Sequence, residues 1–138
     1  MSVVVGERNE TKLEVLLQAE KLAGYTVNIV SNEKHFPKRY RWCLNDELVK
    51  KAISIVELVN GANSVYPKTK SDYEVRRSVQ MEALAEMGKF LALIATARAC
   101  FGIKLEAISY WIDTATYTKT IMQKWIQSDC VKFGGLPD

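Results

Sequence analysis

The stretch "KHFPKRYRW", residues 34–42, decides how this chain divides. Phe36 precedes Pro37, so its backbone is driven out of the helical region, and the proline itself has no N–H for a helical hydrogen bond. The same residues carry Lys34, Lys38, Arg39 and Arg41, three aromatics, the only histidine of the chain and no acid. The stretch is therefore a helix boundary and a cluster of positive charge at once.

Upstream, over about residues 10–33, Leu13, Leu16, Ala19, Ala23, Val27 and Val30 recur at three- and four-residue steps. That spacing predicts a helix with one apolar face, and Asn9 or Thr11 can cap its start. Downstream, Asn45 can cap a second helix over about residues 45–65. Asp46 and Glu47 complement its dipole, and Leu48, Ala52, Ile55, Val56 and Val59 form its apolar face. Gly61 lies inside it, and Tyr66-Pro67 closes it.

A third helix is expected over about residues 71–101, opened by a Ser71/Glu74 capping box and stopped by Gly102. Met87, Phe90, Leu91 and Ile94 face the core. Ala85, Gly88, Ala92, Ala95 and Ala99 form a second stripe of small residues, which lets a neighbouring helix of the same bundle or of another subunit come close. A fourth helix follows over about residues 104–126, with Leu105, Ile108, Ile112, Ala115, Met122 and Ile126 inward and Trp111 and Trp125 beside them. Residues 131–138, with Gly134, Gly135 and Pro137, read as a frayed, flexible tail. No alternating strand pattern competes. The expectation is a single all-α domain over residues 1–138, an up-down antiparallel four-helix bundle with short connections.

Composition agrees. In 138 residues, 48% are hydrophobic and 25% charged, the balance of a chain that buries one core. Cys43, Cys100 and Cys130 form an odd set without a C-x-x-C pair, which favours a reducing compartment. The N-terminus lacks the basic and apolar regions of a signal peptide, and residues 90–101 are too short and too polar to span a bilayer. A cytoplasmic protein without a membrane role is expected.

Catalysis requires groups that trade protons or form covalent bonds. His35 has no nearby acid in sequence and reads as an exposed loop histidine. Cys43 reads as a small buried residue. Glu-x-x-His pairs, a glycine-rich phosphate loop and a metal-ligand set are all missing from the sequence. No catalytic residue, cofactor or metal is expected.

Positive charge is what clusters. Lys34, Lys38, Arg39 and Arg41 occupy the first connection, and Lys68, Lys70, Arg76 and Arg77 surround the start of the third helix. In an up-down bundle the first group shares an end with residues 102–104, and the second shares the other end with the termini. The net charge of +3 is mild, so the distribution matters more than the sum. Cations contact phosphates, and interleaved aromatics stack on bases. Phe36 and Trp42 are expected to pack back onto the bundle, leaving the charges as the contact surface.

Phe36-Pro37-Lys38-Arg39-Tyr40-Arg41-Trp42 resembles the F-P-[KR]-x-x-[RK]-[FY] signature between the first two helices of a family of small four-helix bundles. These are the accessory variability determinant (Avd-like) proteins of diversity-generating retroelements and related bundles encoded in ribosomal RNA intervening sequences. Residues 22–30, "LAGYTVNIV", resemble the family's first-helix pattern. Residues 82–87 and Trp125-Ile126 fall where its third-helix and C-terminal patterns lie, so the resemblance spans roughly residues 13–128. It implies a homopentameric ring that binds RNA and DNA, associates with a reverse transcriptase in mutagenic retrohoming and is not itself an enzyme. On that reading Lys34, Lys38, Arg39 and Arg41 contact nucleic acid, with Arg76 and Arg77 second. The chain departs from the retroelement members in its modest net charge. The alternative is a structural or protein-interaction bundle without a nucleic-acid role.

Overall fold

Helix α1 (Ser2–Val30), α2 (Asp46–Asn63), α3 (Lys70–Phe101) and α4 (Leu105–Phe133) make up the fold in the computed structural model, which describes the backbone of residues 2–138 and the side chains of residues 12–138. Among the described residues there is no strand. The expected caps Asn9 and Thr11 lie outside the described side chains. Each helix packs on two neighbours: α1 on α2 and α4, α3 on α2 and α4. The all-helical expectation holds, and the order of neighbours is that of a four-helix bundle.

The helix ends differ from the expected ones for local reasons. α1 stops at Val30 rather than near residue 33. Asn32 Oδ1 accepts the Lys34 N–H at 3.1 Å, and the Asn32 carbonyl accepts the N–H groups of His35 and Phe36. This side-chain competition turns the chain before proline can act. α3 begins one step early: the capping box is Thr69 with Asp72, not Ser71 with Glu74. Thr69 Oγ1 accepts the Asp72 N–H, while Asp72 Oδ2 accepts the N–H groups of Lys68 and Thr69. Those backbone donors hold the Asp72 carboxyl below its ordinary value of 3.8, the Lys68 N–H contributing most. Gly102, at φ 63°, supplies the left-handed residue that ends α3, as the sequence predicts.

α4 runs well past residue 126 to Phe133, which is buried against Tyr66 and Tyr73 with ring centroids 5.8 Å apart in each pair. The Lys70 N–H donates to the Pro137 carbonyl at 2.8 Å, so residues expected as a flexible tail meet the start of α3. The aromatic ring at 133 reaches the α2–α3 connection, which explains why Gly134 and Gly135 do not free the segment.

The buried line on α1 is Val15, Ala19, Leu22, Thr26 and Ile29, whereas Leu13 and Val27 are exposed. Thr26 accounts for the rotated face. Its hydroxyl donates to the Leu22 carbonyl at 2.7 Å and accepts the Trp111 Nε1–H at 3.0 Å, so a polar residue sits in the core satisfied. Trp111 and Trp125 are fully buried, and Leu105, expected inward, is exposed. The small-residue stripe is not used inside the bundle: Ala85, Gly88, Ala92, Ala95 and Ala99 all face outward.

Candidate nucleic-acid interface

The connection between α1 and α2 is not an unstructured crossing. After Pro37 the chain forms a 3₁₀ turn over Lys38–Tyr40, then one π turn over Arg41–Asn45 that leads into α2. π turns are rare and often mark functional positions. Phe36 anchors the connection. It is buried, and its ring meets Phe101 and Trp111 edge-on at 5.7 Å each. The Tyr40 ring lies over Phe101 at 5.2 Å. Asn45 does not cap α2; it is buried, and its Nδ2 donates to the Pro37 carbonyl at 3.2 Å, which ties the two ends of the connection together. Packing of Phe36 is as the sequence suggests.

Trp42 is the correction. It is 83% exposed and does not pack onto the bundle. Cys43 is exposed rather than buried. In the π turn the residues Arg41, Trp42 and Cys43 all point outward, while Leu44 and Asn45 carry the packing. An indole in water is an uncommon arrangement for so large an apolar surface, and it suits stacking on a planar partner.

Lys34, Lys38, Arg39 and Arg41, in the same connection as this indole, are all exposed. Lys38 Nζ lies 3.6 Å from Glu33 Oε1, both side chains about two-thirds exposed, so this pair holds the lysine only weakly. The Arg39 guanidinium sits 5.0 Å from the Tyr40 ring centroid, which orients it without consuming its charge. Beneath the turn lies a cleft of 270 Å³ with Lys38, Arg41, Glu33 and Asp46 in its walls. At the neighbouring corner Lys34, the half-buried His35, Lys104 and Glu106 line a second cleft with Gly102. Lys104 thus joins the basic end, as the expected meeting of residues 34–41 with 102–104 requires.

Arg76 is removed from the set. It is buried, with 4% of its surface exposed. Its Nε donates to Asp129 Oδ2, and its Nη1 donates to the carbonyls of Ala62 and Val65 at 3.1 Å each. It closes the C-terminal end of α2, whose last carbonyls lack helical partners, and cannot reach a phosphate. Asp129 also accepts from Gln80 Nε2 at 2.7 Å. Arg77, the next residue, is exposed, and its Nη1 donates to the Tyr73 hydroxyl at 3.3 Å. That hydrogen bond raises the Arg77 guanidinium above its ordinary value. Arg77 stands at the opposite end from the Trp42 turn, at the end where Lys68 and Lys70 are also exposed.

No group of three or more metal-ligating side chains occurs among the described residues, and no helix among them is long and apolar enough to cross a membrane. No family model, curated protein or solved structure matches the chain.

Proposed function

We propose that the chain is a non-enzymatic nucleic-acid-binding protein whose contact surface is the α1–α2 connection. The observation that carries this reading is Trp42, 83% exposed in a connection whose cations Lys34, Lys38, Arg39 and Arg41 are all exposed as well. Guanidinium forks and ammonium groups bind phosphate oxygens, and an exposed indole offers a stacking platform that accepts any base. These contacts position a strand; they carry no base code. Arg77 is a separate, secondary contact.

The resemblance to the Avd-like bundles supports a more specific role: an accessory of a reverse transcriptase, assembled as a homopentamer, acting in mutagenic retrohoming. The outward stripe of Ala85, Gly88, Ala92, Ala95 and Ala99 favours self-assembly, because a small-residue seam admits a second helix at close range. A ring repeats the basic turn once per subunit, so a small charge per chain becomes a basic rim. The second reading, an interaction module without nucleic acid, rests on the same stripe and on the net charge of only +3. Filter binding of single-stranded RNA and duplex DNA across a salt series separates the two. Binding at low ionic strength that falls with salt supports the first reading; no binding at low ionic strength supports the second.

A further inference from the structure

All three thiols are exposed. Cys130 lies near the end of α4, beside Asp129 and the α2–α3 connection. Cys43 and Cys100 lie together at the other end. They line one groove of 380 Å³ with Tyr40, Leu44 and Phe101. Three contacts bring them there. The Tyr40 and Phe101 rings are 5.2 Å apart, Cys100 immediately precedes Phe101, and the Cys43 thiol donates to the Tyr40 carbonyl at 3.4 Å. The turn that carries Cys43 and the end of α3 that carries Cys100 are thus joined through the aromatic pair, although the two cysteines are far apart in sequence.

We propose that Cys43 and Cys100 form a reversible dithiol–disulfide pair that reacts with an acidic low-molecular-weight disulfide of the glutathione class. Arg39 and Arg41 are exposed in the same connection as Cys43, so the end of the bundle that carries this groove is positively charged and draws an anionic disulfide. The Cys43 thiolate attacks one sulfur of the external disulfide; that S–S bond breaks and the first small thiolate leaves with the electron pair. The Cys100 thiolate then attacks the Cys43 sulfur, and the second small thiolate leaves. The protein loses two electrons and two protons, and the external disulfide takes them up as two small thiols. A disulfide closes when the Cα atoms come within about 7 Å. The element that gives is the single π turn carrying Cys43, not the long helix carrying Cys100. Closure clamps the turn that presents Trp42. The pair does not depend on a nucleic-acid role.

The test is oxidised glutathione added to dilute protein, followed by thiol counting, intact mass and a non-reducing gel. The expected product is a single-chain species in which Cys43 and Cys100 are lost as free thiols with no glutathione adduct on either. Cys100→Ser should stop at an adduct on Cys43, Cys43→Ser at an adduct on Cys100, and Cys130→Ser should still form the bridge. Separate stable adducts on Cys43 and Cys100 in the parent, pairing with Cys130, or chains cross-linked through Cys43 would overturn the proposal. Each substituted position is exposed, so the folded protein is available in every arm.

Discussion

Arg76 in α3 and Asp129 in α4 form an ion pair inside the molecule, with side chains 5% and 8% exposed. The same guanidinium closes the end of α2 through the carbonyls of Ala62 and Val65, so one side chain joins three helices. Removing one partner leaves an uncompensated buried charge, at a cost of about 3–5 kcal/mol. Asp129→Ala should therefore lower the stability measured by urea denaturation by that amount. An unchanged midpoint would show that the pair is not holding the helices together.

The Trp111 indole N–H has the Thr26 hydroxyl as its partner, and both residues are fully buried. Thr26→Val keeps the shape and deletes the acceptor. The expected loss is about 1–3 kcal/mol, the penalty of an unsatisfied buried donor. Chemical denaturation measures it, and a change near zero would contradict the satisfied-core account of Thr26.

Thr69→Ala removes the side-chain half of the α3 cap and should cost about 1 kcal/mol. Asp72 supplies the pH dependence. Its folded-state value lies below 3.8 because the Lys68 and Thr69 N–H groups favour the carboxylate. Its contribution to stability is thus complete above the unfolded value and disappears as pH falls through the lower folded value. The stability difference between parent and Asp72→Asn should be constant near neutrality and shrink below pH 3.8. A difference that grows on acidification would reverse the assignment.

The outward stripe makes its own prediction. A Cβ added at Gly88 would meet nothing within 4 Å, so a larger side chain fits the single chain. If the chain self-assembles through this stripe as proposed, Gly88→Leu with Ala92→Leu should leave helicity intact and lower the mass measured by light scattering toward that of one chain. An identical oligomer mass in parent and variant would place the assembly contact elsewhere.

Long helices were legible in the sequence because their apolar spacing and proline boundaries are local signals. Phe36 as an anchor followed from the same logic. The roles of Arg76 and Trp42 were not legible. Arg76 looks like surface charge until Asp129 is placed in a helix, and Gly134, Gly135 and Pro137 disguise how far that helix runs. Trp42 looks like core because of its hydrophobicity, but its orientation is set by the π turn, whose five-residue register leaves no apolar period to read. Thr26 shows the same limit: a hydroxyl that bonds its own helix and an indole across the core belongs inside, although composition alone places it outside.

The most direct measurement compares RNA affinity of the parent with that of a Lys38→Ala, Arg39→Ala, Arg41→Ala triple variant between low and moderate salt. The account predicts weaker binding by the variant at every salt concentration. It also predicts a slope of log affinity against log salt shallower by about 2, since three lost phosphate contacts count roughly 0.7 each on a single strand. A variant that binds as tightly as the parent at low salt, with the same slope, would contradict the claim that the α1–α2 connection is the nucleic-acid surface.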